Sequence, residues 1–419
     1  MSRPGRFAGV LVVGGGYSGL HAVRAVEGLG IAATVIDRTG DHDFVTRLAA
    51  VAGGSASKVD ARQPLGRFVR TVEVGSVVLV EDGAVELADG RRIEADAVVV
   101  TSGADCSRPA IEGIEHAAGL RTADDAFSLR TAIAATTSVV IIGAGATGVQ
   151  LAGAIAHTHP DILVHLVEVE ARLLAGLPTA LGRGAERILG ERGVELHLGR
   201  PVDRIDPDGV HVDGSFIEGH VVWAGGFVAD AARLGVPTTN DGRIAIDADL
   251  RISGMQRTFA AGDVAGHTDR HGHALPMSAQ IAAQAGTVAG RNAARLVRDE
   301  PTEPAALQQR GWVLDLTGGR GLAQFGPLVL ASPVLDLMPP LMHHAIDLKD
   351  LIEIGGLGAL RFAPTPVREL MTHLAWPIWS ARPDVALDPL VIAAGLKRVL
   401  AECFTLSDDR VDTATPLLA

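Results

Sequence analysis

Twice along this chain an apolar strand-like run stops at a glycine turn, and a helical pattern opens directly behind it. That repeat restricts the fold more than any other feature. The first copy runs Val10-Leu11-Val12-Val13, then Gly14-Gly15-Gly16-Tyr17-Ser18-Gly19, then a helical pattern from Leu20 to about Gly28. A second apolar run, Ala32 to Ile36, follows and ends on Asp37. The other copy runs Val139 to Ile142, Gly143-Ala144-Gly145-Ala146-Thr147-Gly148, a helix from Val149 to about Ala156, and Leu163 to Val167 ending on Glu168. Both read as strand, glycine turn, helix, strand. They also close alike: Ala97 to Val100 enters Thr101-Ser102-Gly103, and His220 to Trp223 enters Ala224-Gly225-Gly226.

The spacing of the glycines has a physical meaning. The first allows the tight bend, the second lets backbone approach a pyrophosphate at the positive end of the helix dipole, and the third packs helix against strand. An acid closing the next strand, roughly 20 residues on, stands where a ribose is held. Taken singly, such a turn is equally a tight connection, and Asp37 or Glu168 a solvated strand-end acid. Two complete copies in one context make coincidence a poor account.

Between these units the segments Ser76 to Val80, Val85 to Leu87 and Arg92 to Ile93 alternate around Asp82-Gly83 and Asp89-Gly90, which predicts antiparallel cover strands. Ile244 to Ile246, Arg251-Ile252-Ser253 and Thr258-Phe259-Ala260-Ala261-Gly262-Asp263 come later, before a long helix from about Ser278 to Arg298. Pro301 and Pro304 then mark a boundary. The expected fold is α/β, with two nested Rossmann-like parallel-sheet domains, antiparallel cover strands and a C-terminal α+β region. The expected divisions are 1–125 with 242–304, 126–241, and 305–419. A chain of 419 residues with 50 Gly and 4% aromatics suits such units, where small and β-branched residues fill strands.

Charge and cysteine content exclude other classes. A formal net charge of -12 argues against a nucleic-acid surface, which depends on clustered Lys and Arg. Cys106 and Cys403 are too few and too far apart for a disulfide framework or a CxxC metal site, so a reducing, cytoplasmic setting is the default. The start MSRPGRF lacks a signal-peptide pattern. No run of about twenty uninterrupted apolar residues occurs, and the nearest, 322–341, is broken by Pro327, Pro333, Asp336, Pro339 and Pro340.

The ordered set GGGYSGL, TSGA, IIGAGATGVQLAG, LVEVEARLL, VVWAGG, TFAAGDVAG and PMSAQIAAQAG resembles the FAD-dependent pyridine nucleotide oxidoreductases that bind two dinucleotides. Within them it is most similar to type II NADH dehydrogenases, the single-chain NADH:quinone reductases. The resemblance implies FAD along Gly14, Gly16, Tyr17, Ser18, Gly19, Asp37 and Arg38, with Gly103 and Ala279 beside it and Asp263 bonding its ribityl or phosphate region. It implies NAD(H) at Gly143, Gly145, Thr147, Gly148, Glu168 and Gly225, with Glu168 favouring NADH over NADPH. The long helix would aim its N-terminal amides at the flavin. Gln280 and Gln284 match the quinone-side AQxxxQ pattern of the type II enzymes. On spacing alone, the two glutamines are equally the polar face of a helix.

Departures from the family pattern bear on where electrons leave. The stretch Phe44 to Gly54 has no cysteine, whereas related disulfide reductases carry a CxxxxC pair there, so no redox disulfide passes electrons on. Gln150 replaces the usual Glu of GVELAG and cannot relay a proton near neutral pH. The segment around Arg47 lacks the Pro, Tyr and Gln of the family's PLLYQVATG, which changes the expected wall of the acceptor site. No metal is expected: His267, His271, His273 and Asp269 read as a polar loop beside a redox site, and Cys106 as an inert, partly buried thiol.

Near the C-terminus, Val367, Leu370, Met371, Leu374 and Ile378 follow helical spacing, with Trp376 and Trp379 nearby and Pro377 interrupting. The pattern suits a peripheral anchor on the inner face of the membrane, and equally a helix packed on the core or on a homodimer interface. The leading expectation is hydride transfer from NADH through FAD to a quinone-like acceptor. Two alternatives stay open: a soluble flavoprotein reductase or tailoring oxidase with another acceptor, and a redox-sensing flavoprotein resembling apoptosis-inducing-factor-like proteins.

Overall fold

The two glycine turns sit at the ends of central strands in two separate sheets, each strand flanked by parallel neighbours. In the first sheet Gly5–Val13 pairs in parallel with Ala33–Asp37 on one side and with Arg92–Val100 on the other. Val72–Val74 extends the sheet beyond Ala33–Asp37. The structure, a computed structural model, describes residues 5–326, 328–331 and 338–356. It divides into compact units of residues 1–343 and 344–419, and both glycine turns lie in the first.

Arg92–Val100 serves two partners along one edge. Its first half pairs antiparallel with Ala84–Leu87, which pairs in turn with Val77–Glu81, and its second half pairs in parallel with Thr258–Ala260. The hairpin segment Arg92 to Ile93 and the buried run Ala97 to Val100, expected as two elements, are therefore one strand. Burial explains the mixed pattern: Ala97 to Val100 are fully buried, whereas Arg92 faces solvent.

The second sheet is wholly parallel, in the order Glu195–Leu198, Leu163–Glu168, Ser138–Ile142, His220–Trp223. One face packs on the helices Ala146–Thr158 and Thr179–Glu191 through Ile141, Leu166, Leu151, Ile155 and Ile188. The other packs Val140, Val167 and Trp223 against Ile205, Val210 and Val212 of an antiparallel cover sheet, Val202–Asp206, Gly209–Val212 and Ser215–Glu218. After residue 304 the chain adds an antiparallel sheet, Gly311–Asp315, Gly321–Phe325 and Leu328–Leu330, and then the helix Met338–Gly355, which contains the boundary between the two units. The α/β architecture expected from the sequence is present, with its antiparallel covers and a C-terminal sheet and helix.

Two helices lock the first sheet. Tyr17–Gly28 and Ala279–Val297 approach backbone to backbone at Gly286 and Gly290: a Cβ there would stand 2.1 Å from the Ser18 carbonyl oxygen and 2.4 Å from that of Ala22. The segment that lacks the cysteine pair packs inward too. Leu48, Val51 and Ala52 of the Leu48–Ala52 helix are buried, and a Cβ on Gly53 would meet the Ala154 Cβ at 2.5 Å.

Candidate functional site

The two glycine turns match almost atom for atom. Gly14 donates its N–H to the Ile36 carbonyl at 2.8 Å, and Gly143 to the Val167 carbonyl at 2.8 Å. Gly14 has φ +102° and Gly143 φ +105°, the left-handed side that glycine takes without strain. A Cβ on Gly19 would stand 1.9 Å from the Gly14 carbonyl oxygen, and one on Gly148 1.9 Å from that of Gly143, so these third glycines are demanded by packing. The middle glycines differ. Gly16 and Gly145 cap their helices with φ near -72° and -71°, and a Cβ on either would meet nothing within 4 Å. Neither helix has a side-chain cap, which leaves its first amides facing that open space. An open cradle lined by uncapped amides at a helix N-terminus fits a pyrophosphate.

The two strand-end acids close the cradles in the same way. Asp37 Oδ2 accepts the Gly15 N–H at 2.8 Å and its Oδ1 accepts the Thr39 N–H at 2.8 Å. Glu168 Oε2 accepts the Ala144 N–H at 2.6 Å and its Oε1 the Glu170 N–H at 3.0 Å. Each carboxylate is thereby fixed beside its turn, with lone pairs to spare for a further donor such as a ribose hydroxyl. Arg38 is exposed and Thr147 half-buried.

Around the first turn three segments converge. A Cβ on Gly262, in the turn after Thr258–Ala260, would stand 2.8 Å from Ser18 Cβ and 3.8 Å from Ala282 Cβ, so this turn, the Tyr17–Gly28 helix and the start of Ala279–Val297 meet there. Ser18 Oγ is buried and has no protein partner among the described residues. Asp263 takes the Arg121 guanidinium at 2.7 Å, and Gly103 lies on the same cation: a Cβ there would be 3.6 Å from Arg121 Nη2. Arg121 also donates Nε to the Ala104 carbonyl at 2.8 Å and lies 4.8 Å from the Phe227 ring centre. No local pattern singles out Arg121, because its partner is 142 residues away.

Buried histidines brace the first glycine turn and the turn that carries Asp263. His42, fully buried, pairs Nδ1 with the Gly15 carbonyl at 2.8 Å, within a ring of Tyr17, Phe44 and Phe68 edges. A carbonyl only accepts, so Nδ1 carries the proton. Burial pushes the His42 imidazole down to about 4 and the His267 imidazole to about 4. His267 Nε2 accepts the Gly262 N–H at 3.0 Å and so holds the turn that carries Asp263. His273 pairs instead with Asp269 at 3.2 Å. Cys106 is half-buried, and burial pushes its thiol up.

The four residues expected at the acceptor side are placed less simply. Gln284 clasps Gln308 at both ends of its amide, donating Nε2 to the carbonyl at 3.0 Å and accepting the N–H at 3.2 Å. Gln280 Oε1 accepts the Arg310 N–H at 2.5 Å. Both amides thus hold the segment leading into the Gly311–Asp315 strand, and the Gln280 Nε2 has no partner among the described residues. Ala279 is half-buried at the start of the same helix. Gln150 Oε1 accepts the Asp315 N–H at 3.3 Å. Arg47 is buried, lying 4.1 Å over the Phe44 ring and donating to the Asp60 carbonyl. Gly225 lies close against Trp223, whose Cζ2 a Cβ would meet at 2.4 Å. The expected anchor residues between 367 and 379 lie outside the described residues, and no described helix is long and apolar enough to cross a membrane.

Comparison with known proteins agrees with this geometry. The chain is 26% identical over 394 residues to a type II NADH:quinone oxidoreductase of Staphylococcus aureus (strain NCTC 8325 / PS 47), covering 83% of this chain and 96% of that protein. It is 28% identical over 403 residues to the type II NADH:quinone oxidoreductase of Mycobacterium tuberculosis, covering 82% of this chain and 85% of that protein. Among solved structures, the NDH2 of Plasmodium falciparum in complex with NADH superposes with a TM-score of 0.70 at 13% identity, covering 82% of this chain and 95% of that one. A ferredoxin reductase from Rhodopseudomonas palustris superposes with a TM-score of 0.66 at 22% identity, covering 77% and 82%. Residues 8–286, the span that holds both glycine turns, Asp263 and the start of the long helix, match one family throughout, and the chain belongs to the pyridine nucleotide-disulphide oxidoreductases.

Proposed function

We propose that this protein is an FAD-dependent oxidoreductase that takes hydride from NADH and passes electrons to a quinone-like acceptor. Its two cofactors are FAD and NAD(H). The observation that carries the reading is the duplicated open cradle, at Gly16 and at Gly145, each closed by its own strand-end acid. The named activity of the relatives in Staphylococcus aureus and Mycobacterium tuberculosis supports NADH as donor and a quinone as acceptor. The FAD half comprises residues 1–125 and 242–304, and the NAD(H) half residues 126–241.

FAD, when bound, supplies the hydride acceptor and two-electron store, so the protein's part is binding, orientation and electrostatics. Gly14, Gly16, Gly19 and the amides of Tyr17 and Ser18 hold the FAD pyrophosphate, Asp37 and Arg38 its adenosine side, and Gly103, Asp263 and Ala279 line its path. Gly143, Gly145, Thr147, Gly148 and Gly225 hold the nicotinamide dinucleotide. Glu168 accepts from its ribose and repels a 2′-phosphate, which selects NADH. The free Nε2 of Gln280 is the donor offered to an acceptor carbonyl, with Gln284, Gln150 and Arg47 holding the surrounding backbone. The protein works on the cytoplasmic side, where a quinone is met at the membrane surface.

A second reading replaces the quinone by a redox protein or another soluble acceptor. It is favoured by Gln280 and Gln284, whose amides are engaged with residues 308–310. One experiment decides between them. The purified protein is reduced anaerobically by NADH and reoxidised by a panel of quinones, ferredoxin-like proteins and oxygen. Fast reoxidation by quinones alone is the expected result, and fast reoxidation by a ferredoxin-like protein with none by quinones would overturn the acceptor assignment.

A further inference from the structure

A second group of chemistry-bearing side chains lies on the sheet that carries Glu168, at its edge. Leu163–Glu168 and Glu195–Leu198 pair in parallel with His165 opposite Glu195 and Val167 opposite His197. Side chains alternate between faces along a strand, so Glu195 and His197 share a face, and His165 shares it through its pairing with Glu195. The register therefore brings two imidazoles and a carboxylate together. His165 Nδ1 lies 3.2 Å from His197 Nε2 and 3.2 Å from Glu195 Oε2, and the ligand atoms of all three residues lie within 4.8 Å of one another.

We propose that His165, Glu195 and His197 bind one borderline divalent transition-metal cation, typified by Zn2+, which clips the edge strand Glu195–Leu198 to its neighbour. Two ligands of a tetrahedral zinc, each about 2.0–2.1 Å from the metal, stand about 3.3 Å apart. The two 3.2 Å separations are edges of such a sphere. With the proton on His165 Nδ1, Glu195 and His197 compete for it, whereas a cation placed among the three atoms takes one lone pair from each residue at once. Two imidazole nitrogens with one carboxylate oxygen select Zn2+, Co2+ or Ni2+ over Mg2+ or Ca2+, which prefer oxygen throughout.

The surroundings suit the site. His165 is buried while Glu195 is half-exposed, which leaves a way in and an open position for water. The open groove around them is also lined by Thr136, Ser138, Phe216, Glu218 and His220. His220 Nε2, in that groove, is buried with no partner among the described residues. None of these groups touches the glycine turns, so the cation is structural and separate from hydride transfer. Because Glu195–Leu198 is the last strand of its sheet, a clip there closes an edge otherwise held by backbone pairing on one side only.

The test uses the untagged, flavin-loaded protein and Co2+ as the probe. Equilibrium dialysis should find one Co2+ bound per chain, with visible ligand-field bands of a four- or five-coordinate nitrogen and oxygen site, and one equivalent of Zn2+ should displace it. His197→Gln should weaken Co2+ binding at least tenfold and abolish the bands while leaving flavin content and reduction by NADH unchanged. Glu195→Gln, at a half-exposed position that does not endanger folding, should weaken binding and shift the bands. If the wild type binds no more Co2+ than His197→Gln does, or if bound Co2+ keeps its spectrum in both variants, the three residues are an ordinary hydrogen-bonded cluster and the proposal fails.

Discussion

The Arg121 guanidinium donates to Asp263 Oδ2 at 2.7 Å, joining the segment before the helix Ala123–Ile133 to the turn that follows the strand Thr258–Ala260 of the first sheet. Both side chains are largely buried, at 18% and 13% exposure, so the pair is shielded from the screening that weakens surface ion pairs. Removing the cation leaves a partly buried carboxylate unpaired, which costs about 2–3 kcal/mol. Arg121→Ala should therefore lower both melting temperature and flavin content. Arg121→Lys should restore part of the stability, since a lysine keeps the charge and loses the second bond to the Ala104 carbonyl. Flavin content equal to wild type in Arg121→Ala would show that this turn does not face the FAD.

Which parts of this arrangement the sequence makes legible follows from the range of the forces involved. The glycine turns, both strand-end acids and the long helix are local: dihedral limits, packing of the next strand and one helix N-terminus determine them within a few tens of residues. Asp37 and Glu168 accordingly stand beside their turns as the spacing predicts. Arg121 is invisible in that reading because its partners, Asp263, Ala104 and Phe227, come together only when the whole first unit folds. His42 is invisible for a related reason, since the surrounding rings of Tyr17, Phe44 and Phe68 have no period in sequence. Gln280 and Gln284 do share a face as their spacing requires, yet residues 308–310 meet that face, and nothing local announces that contact. Arg92 to Val100 reads as two elements because one strand changes partners halfway.

Space around the glycines separates binding from folding. Gly16 has room for a side chain in the protein alone, so Gly16→Val should leave the apoprotein's melting temperature close to wild type and remove its flavin. Gly19→Ala should instead destabilise the fold, because its Cβ would stand 1.9 Å from the Gly14 carbonyl oxygen. The same contrast at Gly145 and Gly148 should appear in reduction by NADH, with Gly145→Val keeping its FAD. Full flavin occupancy in Gly16→Val would sink the FAD assignment of the first cradle.

Nucleotide choice should follow Glu168. The double variant Glu168→Ser with Glu170→Arg removes the acid that repels a 2′-phosphate and adds a guanidinium able to pair with one. It should move the ratio of kcat/KM for NADPH over NADH upward by at least tenfold. A wild type that already prefers NADPH would contradict the role given to Glu168.

Stability should fall on mild acidification. His42 and His267 titrate near 6.5 when unfolded and about 4 when folded, so between those values the unfolded chain binds more protons and stability rises with pH. Each contributes a slope of up to about 1.4 kcal/mol per pH unit in that window, fully lost by about pH 4. His42→Gln, measured by denaturant unfolding at several values between pH 4 and 7, should show a shallower dependence than wild type. An unchanged slope would mean that His42 titrates normally in the folded protein.

The two glutamines should separate the half-reactions from each other and from folding. Gln284 spends both amide atoms on Gln308, so Gln284→Leu should loosen the segment leading into the C-terminal sheet and lower stability by about 1–2 kcal/mol. Gln280 keeps Nε2 unengaged at the first turn of the helix that abuts Ser18 and Gly262. Gln280→Leu should therefore slow reoxidation by a quinone while reduction by NADH keeps its rate, because a lost donor to the acceptor carbonyl affects only the second half. Stopped-flow absorbance of the flavin measures both steps in one preparation. Equal slowing of the two would point to a displaced flavin, and unchanged quinone reoxidation in Gln280→Leu would place the acceptor elsewhere on the flavin.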